Sequence, residues 1–228
     1  MDSMTIERMR TFLALAVLVG CNGRDDMPDA APPDTAPTLD CPSYCAKIEA
    51  GCTGENAQYP DMKHCMAACA SFPVGTSTVA DTSGNTLGCR IYHAGASRTD
   101  PTTHCAHAGP AGDHLTASPA AACSGGDVCA SYCALQIKAC GSVDAPLPGD
   151  PIDSFGNPLY QYQNIDNCMT LCAGYNKTHS FRTTSMGDSL ACRLLYTTRA
   201  AIDLDKAKTE CRHTGFLARG PCEGTPMP

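Results

Sequence analysis

Cysteine and histidine carry most of the chemical potential of this 228-residue chain, which holds 17 cysteines and 7 histidines. A thiolate can attack a substrate, ligate a metal or oxidise to a disulfide, and an imidazole can move a proton or ligate a metal. Sixteen of the cysteines form a ladder of eight that occurs twice. The first copy is Cys41, Cys45, Cys52, Cys65, Cys69, Cys89, Cys105 and Cys123, and the second is Cys129, Cys133, Cys140, Cys168, Cys172, Cys192, Cys211 and Cys222. The offset between copies is 88 residues for the first three pairs and 103 for the next three, then 106 and 99. One insertion of 15 residues between Cys140 and Cys168 accounts for the jump, so the ladder is a tandem repeat.

Five histidines fall in the first copy: His64, His93, His104, His107 and His114. A metal site is the reactive possibility. The second copy has Asn167, Tyr196 and Glu210 where the first has His64, His93 and His104, and only His107 and His213 are shared, within C-x-H-x-G. Compared in this way, the copies argue against a metal or any other cofactor, and for a shared histidine that closes a helix end beside a disulfide. No covalent-haem C-x-x-C-H, Walker loop, dinucleotide glycine pattern or G-x-S-x-G elbow is present, and Asp150, Asp153 and Asn157 miss the EF-hand spacing. With every ladder cysteine paired, no thiol is left to act as nucleophile. The chain reads as a non-enzyme.

The element that presents the first three cysteines is a helix. At about 100° per residue, Cys41, Cys45, Ile48 and Cys52 share an arc of about 60°, after Asp40 as N-cap and Pro42 in the first turn. A second helix carries Cys65-x3-Cys69, and Cys129, Cys133, Cys140, Cys168 and Cys172 repeat the arrangement. Two antiparallel helices with cysteines at i and i+4 can be stapled twice, which predicts Cys41–Cys69 with Cys45–Cys65 and Cys129–Cys172 with Cys133–Cys168. Eight cysteines allow 105 connectivities, and the remaining four of each copy pair among themselves in an order that spacing does not choose. Over Cys41–Cys69 this spacing resembles the α-hairpinin scaffold. A third helix is expected from about 86 to 96 and from about 189 to 202, where Asn/Asp then Thr/Ser signals a start. The fold class is therefore small, all-α and disulfide-rich, with two eight-cysteine helical domains, 41–126 and 127–228, joined by long loops.

Cys21 stands outside the ladders. It follows Leu18-Val19-Gly20 at the end of an apolar run, Thr11 to Val19, that is too short to span a bilayer. Leu-Val-Gly-Cys resembles the lipobox of bacterial lipoproteins, which implies a signal peptide over 1–20 and acylation of Cys21. Residues 21–40 hold the acylated cysteine, four prolines and five aspartates, and read as a solvated tether. Asn22, rather than an aspartate, after Cys21 implies by the same resemblance an outer-membrane lipoprotein, periplasmic or surface-exposed. Export also implies oxidised cysteines. The absence of tryptophan and an aromatic content of 6% imply a thin core that disulfides must support. The net charge of −7 is concentrated in the tether, where residues 22–40 carry −4, and no basic patch exists, so nucleic acid is not a partner. The strings G-N-T-L-G-C-R-I-Y-H and H-C-A-H-A-G-P resemble cysteine-rich repeats of predicted exported proteins in myxobacteria-like bacteria, which implies compartment and repeat structure.

The expected function is a non-catalytic cell-envelope lipoprotein, held to the membrane by its lipid, that binds or scaffolds an unknown protein or glycan. The alternative is a secreted metal-binding protein or hydrolase that uses the first-domain histidines. Gly141–Asn167, where the copies differ most, holds Phe155, Tyr160 and Tyr162 among amides, which makes these three the candidate binding residues. The competing expectation is that Tyr160 and Tyr162 fold back over the core.

Overall fold

Among the described residues, eight α-helices are built on eight polar caps. In a computed structural model, which describes residues 38–75, 81–115, 122–147, 160–177 and 185–223, the helices are α1 (Cys41–Gly51), α2 (Met62–Cys69), α3 (Leu87–Ala96), α4 (Pro101–Ala108), α5 (Val128–Cys140), α6 (Ile165–Cys172), α7 (Leu190–Ala200) and α8 (Leu204–Glu210). No strand occurs among the described residues. Asp40, Asp61, Thr86 and Asp100 cap α1 to α4, and Asp127, Asn164, Ser189 and Asp203 cap α5 to α8. Each accepts a backbone N–H of the first turn through its side chain, so donors with no partner inside the helix are satisfied locally. The caps correspond between copies, and each copy is the same four-helix unit. The fourth helix of each copy, α4 and α8, goes beyond the three expected from sequence; Asp100-Pro101 and Asp203 are its start signals.

Eight disulfides staple these units: Cys41–Cys69, Cys45–Cys65, Cys52–Cys105 and Cys89–Cys123, then Cys129–Cys172, Cys133–Cys168, Cys140–Cys211 and Cys192–Cys222. The α1–α2 and α5–α6 hairpins are closed by the crossed pairs that the cysteine stripe predicts. The bonds left open by spacing tie α1 to α4, and the start of α3 to the end of the copy, in both repeats. Eight such bonds belong to an oxidising, extracytoplasmic compartment.

Hydrogen-bonded aromatics and a buried arginine fill what apolar side chains cannot. Tyr44 on α1 is fully buried and donates to the Ala108 carbonyl at 2.6 Å, with the Tyr59 hydroxyl 2.8 Å away. Tyr132 on α5 donates in the same way to the Thr214 carbonyl and meets Tyr162. Arg90 is 0 % exposed, lies 3.9 Å over the Phe72 ring, and donates to the carbonyls of Gly109 and Thr86. Arg193 lies 4.1 Å over Tyr175 and donates to the carbonyls of Gly215 and Ser189. A guanidinium has five donors, so these contacts let it be buried with most of its valence satisfied. The repeated Cys-Arg pairs, Cys89-Arg90 and Cys192-Arg193, are thus explained as packing.

The two copies share one hydrophobic core, which runs from Tyr44 and Ile48 through Leu87 and Ile91 to Leu135, Leu190 and Leu194. All described residues belong to a single compact unit, 36–228. A polar link reinforces the seam: Arg90 Nη2 donates to Ser131 Oγ at 2.9 Å, and that hydroxyl donates to Asn85 at 3.1 Å.

Candidate functional site

The C-terminal half of α3 and the middle of α4 meet at a corner of the first repeat. His93 lies in the last turn of α3, and His104 and His107 lie three residues apart on one face of α4. Between these two, Cys105 is bonded to Cys52, which fixes α4 to α1. At the other end of α3, Cys89 is bonded to Cys123. Both helices are therefore held independently of the histidines.

The three imidazoles converge. His93 Nδ1 lies 2.8 Å from His104 Nδ1 and 3.4 Å from His107 Nδ1. One ring nitrogen from each lies within 4.8 Å of one from the others. The outer nitrogens point to oxygen acceptors: His93 Nε2 lies 3.2 Å from the Thr82 carbonyl, and His107 Nε2 faces the buried Asp113 Oδ1 at 3.4 Å. The His114 backbone N–H donates to that same Asp113 oxygen at 2.6 Å, and the His114 ring stands 5.7 Å from the His107 ring. Burial lowers the pKa of His93 below the usual histidine value. It pushes His107 down to about 4, helped by the neighbouring His93, His114 and His104. Burial also raises the Asp113 carboxyl. Burial therefore favours the neutral form of His93 and His107, the form that ligates metals. Cys89 and Cys123 lie beside His93 as well, but their disulfide removes both sulfurs as ligands.

His64 stands apart on α2, where its Nδ1 and its backbone N–H both meet the cap carboxylate of Asp61. The shared histidine of the second copy, expected to close a helix end, instead ties down the loop that follows: His213 Nδ1 meets the Arg219 carbonyl. His107 does something else. Comparison of the copies selects what they share, and this cluster is what they do not share; the available signal was four histidines within 22 residues, His93 to His114.

Of the two expectations for Gly141–Asn167, Tyr162 follows the second and folds back into the core. Tyr162 is 2 % exposed, and its hydroxyl meets those of Tyr132 and Tyr175. It is the counterpart of Tyr59 in the core of the first copy, so assigning it to a recognition surface is corrected: its ring fills the core and its hydroxyl completes a buried network. Tyr160 is half-buried and lies against Gly141, where an added Cβ would come within 2.9 Å of its ring. Phe155 lies outside the described residues, as do Cys21 and all of residues 1–37, on which the expected signal peptide and most of the expected tether fall. The base of the insertion is clipped by backbone bonds from Val143 to Tyr162 and from Asp144 to Gln163, at 3.2 and 3.0 Å, and by the Asp144 carboxylate on Gln163 and Asn164.

The C-x-H-x-G glycines also have a physical reason. An added Cβ on Gly109 would lie 2.2 Å from Gln58 Oε1, and one on Gly215 would lie 2.0 Å from Gln161 Cβ. Gln58-Tyr59 and Gln161-Tyr162 are thus a further shared pair, which packs on the shared glycine.

Residues 38–131, fewer than half of the chain, match the model of the BfoA family C-terminal domain. The matched stretch covers the first repeat, including the histidine corner, and the first turn of α5. No curated protein and no solved structure matches the chain. Among the described residues, no helix is long and apolar enough to cross a membrane.

Proposed function

We propose that this chain is a non-catalytic lipoprotein of the cell envelope, acylated at Cys21 and placed at the outer membrane, whose stapled helical unit binds or scaffolds a protein or glycan. One observation carries the reading: all sixteen cysteines from Cys41 to Cys222 are consumed in disulfides, which leaves Cys21, at the end of its Leu-Val-Gly motif, as the one cysteine outside the bonds. Acylation accounts for that remainder, and several acyl chains on one residue give stable anchoring where a single chain does not. The lack of catalysis is supported by chemistry. Among the described residues no cysteine is free, and no serine or threonine hydroxyl is hydrogen-bonded to a histidine, so a hydrolase of the serine or cysteine kind would lack its activated side chain.

The test is expression of the whole chain in a bacterial host with labelled palmitate. The wild type takes up the label and partitions with the membrane, whereas Cys21→Ala remains unlabelled and is released in soluble form. Equal labelling of the two proteins sinks the anchoring reading.

A further inference from the structure

We infer that His93, His104 and His107 form a binding site for a divalent transition-metal ion of the zinc or copper class, present in the first repeat and absent from the second. The argument begins with the outer nitrogens. The Thr82 carbonyl can only accept a hydrogen bond, so the His93 nitrogen facing it carries the proton. An ionised Asp113, whose Oδ1 accepts from the His114 backbone N–H, is an acceptor only, and the His107 Nε2 that faces it at 3.4 Å then carries a proton too. In a neutral imidazole the other nitrogen is then a bare lone pair. His93 Nδ1 and His107 Nδ1 therefore turn two lone pairs toward each other at 3.4 Å, a pairing that no single proton between them explains. His104 Nδ1, 2.8 Å from His93 Nδ1, can donate to one of them and leaves the other unmet.

A cation accepts from all three. Around a tetrahedral zinc ion with Zn–N bonds of about 2.0–2.1 Å, neighbouring ligand nitrogens lie about 3.3–3.4 Å apart; the 3.4 Å between His93 and His107 matches that spacing, and the 2.8 Å between His93 and His104 would have to open slightly. Three imidazoles suit zinc, copper or nickel and not calcium or magnesium, which take oxygen ligands. The outer sphere is also in place, with a buried carboxylate behind His107 and a backbone carbonyl behind His93, the partners that orient metal-bound imidazoles. The Cys52–Cys105 bond holds His104 and His107 on either side of a fixed point, so the donors are preorganised rather than gathered by the ion.

The second repeat shows that the corner folds without the site. Tyr196 takes the place of His93, Glu210 that of His104, and His213 gives its Nδ1 to the Arg219 carbonyl. His93→Tyr is for this reason a variant that the scaffold already accommodates.

The experiment titrates Zn2+ alone into the oxidised full chain in detergent, in competition with a chromophoric chelator. The variants His93→Tyr, His104→Gln and His64→Asn are titrated alongside. Intact mass confirms eight disulfides in each protein, which separates loss of ligands from loss of fold. The expected result is one ion per chain in the wild type, affinity lower by at least tenfold in both corner variants, and affinity kept in His64→Asn. The inference is overturned if the wild type binds no Zn2+, if either corner variant binds as tightly as the wild type, or if His64→Asn loses as much as they do.

Discussion

The two repeats keep the same frame and differ at one corner. Each has four capped helices, four disulfides in the same connectivity, a tyrosine that donates to a carbonyl before the shared glycine, and an arginine that lies over an aromatic ring and binds that glycine's carbonyl. At the corner of the third and fourth helices the first repeat has three imidazoles. The second has the Tyr196 ring edge-on to His213 at 5.0 Å, with the Arg199 guanidinium 4.6 Å from the Tyr196 ring centroid. The frame does not depend on the corner, because disulfides, caps and the buried arginine hold the helices without it. A position free of structural duty can change from histidine to tyrosine without unfolding the unit, and so chemistry could be gained or lost there.

The largest effect expected is from removing the bond between the first and fourth helices. Cys52→Ala with Cys105→Ala, or Cys140→Ala with Cys211→Ala, should each cost about 2–5 kcal/mol in urea unfolding. The closed loops span 53 and 71 residues, and since length enters as a logarithm the two costs should differ by only about 0.3 kcal/mol on that account. Only the first pair releases α4, so only the first should also weaken Zn2+ binding. Equal weakening by the second pair would show that the corner is not independent of the other repeat.

A smaller effect distinguishes the shared glycines. Gly215→Ala drives its Cβ into Gln161 Cβ, close to the backbone, whereas Gly109→Ala meets first the amide end of the Gln58 side chain, which can swing away at the cost of its hydrogen bond to the Asn56 carbonyl. The expected costs are about 2–3 kcal/mol for Gly215→Ala and about 1 kcal/mol for Gly109→Ala, read from the shift in urea midpoint. The reverse order would mean that the two glutamines are not equivalent.

The smallest effect is electrostatic. Asp61 caps α2, and hydrogen bonds from the His64 side chain and backbone hold its carboxyl below the usual range. Its counterpart Asn164 caps α6 without a charge. A depressed carboxyl contributes stability that is fully present above the unfolded-state value and is lost as pH falls through the folded value. Asp61→Asn makes the first repeat resemble the second, so the fall in melting temperature from pH 7 to pH 3 should be slightly shallower in the variant. An unchanged slope would assign the acid sensitivity to other groups.

Much of this frame was legible from cysteine offsets alone, because a helix that must present three sulfurs on one stripe leaves few alternatives. The fourth helix was not legible. Pro101-Thr102-Thr103-His104 has no apolar period, and only the cap signal Asp100-Pro101 marks it. Aligning the copies on cysteines also hid Gln58-Tyr59 beneath the insertion, which is why the sequence left Tyr162 open between a surface and a core role when it is a core residue. The histidine corner stayed hidden for a third reason. Its members come from two helices whose crossing is set by the Cys52–Cys105 and Cys89–Cys123 bonds, and spacing does not choose those bonds.

The order of the disulfides along the chain has a consequence for biogenesis. None of the eight bonds joins two cysteines that are consecutive in sequence: Cys45–Cys65 passes over Cys52, Cys89–Cys123 passes over Cys105, and the second repeat follows the same scheme. A polypeptide threaded through a translocon with its amino end first exposes three cysteines of each ladder before the partner of any of them has emerged. An oxidase that links each new thiol to the one before it makes no native bond anywhere in this protein. Maturation must therefore either wait until the helices have brought the right sulfurs together, or undo early bonds by thiol–disulfide exchange.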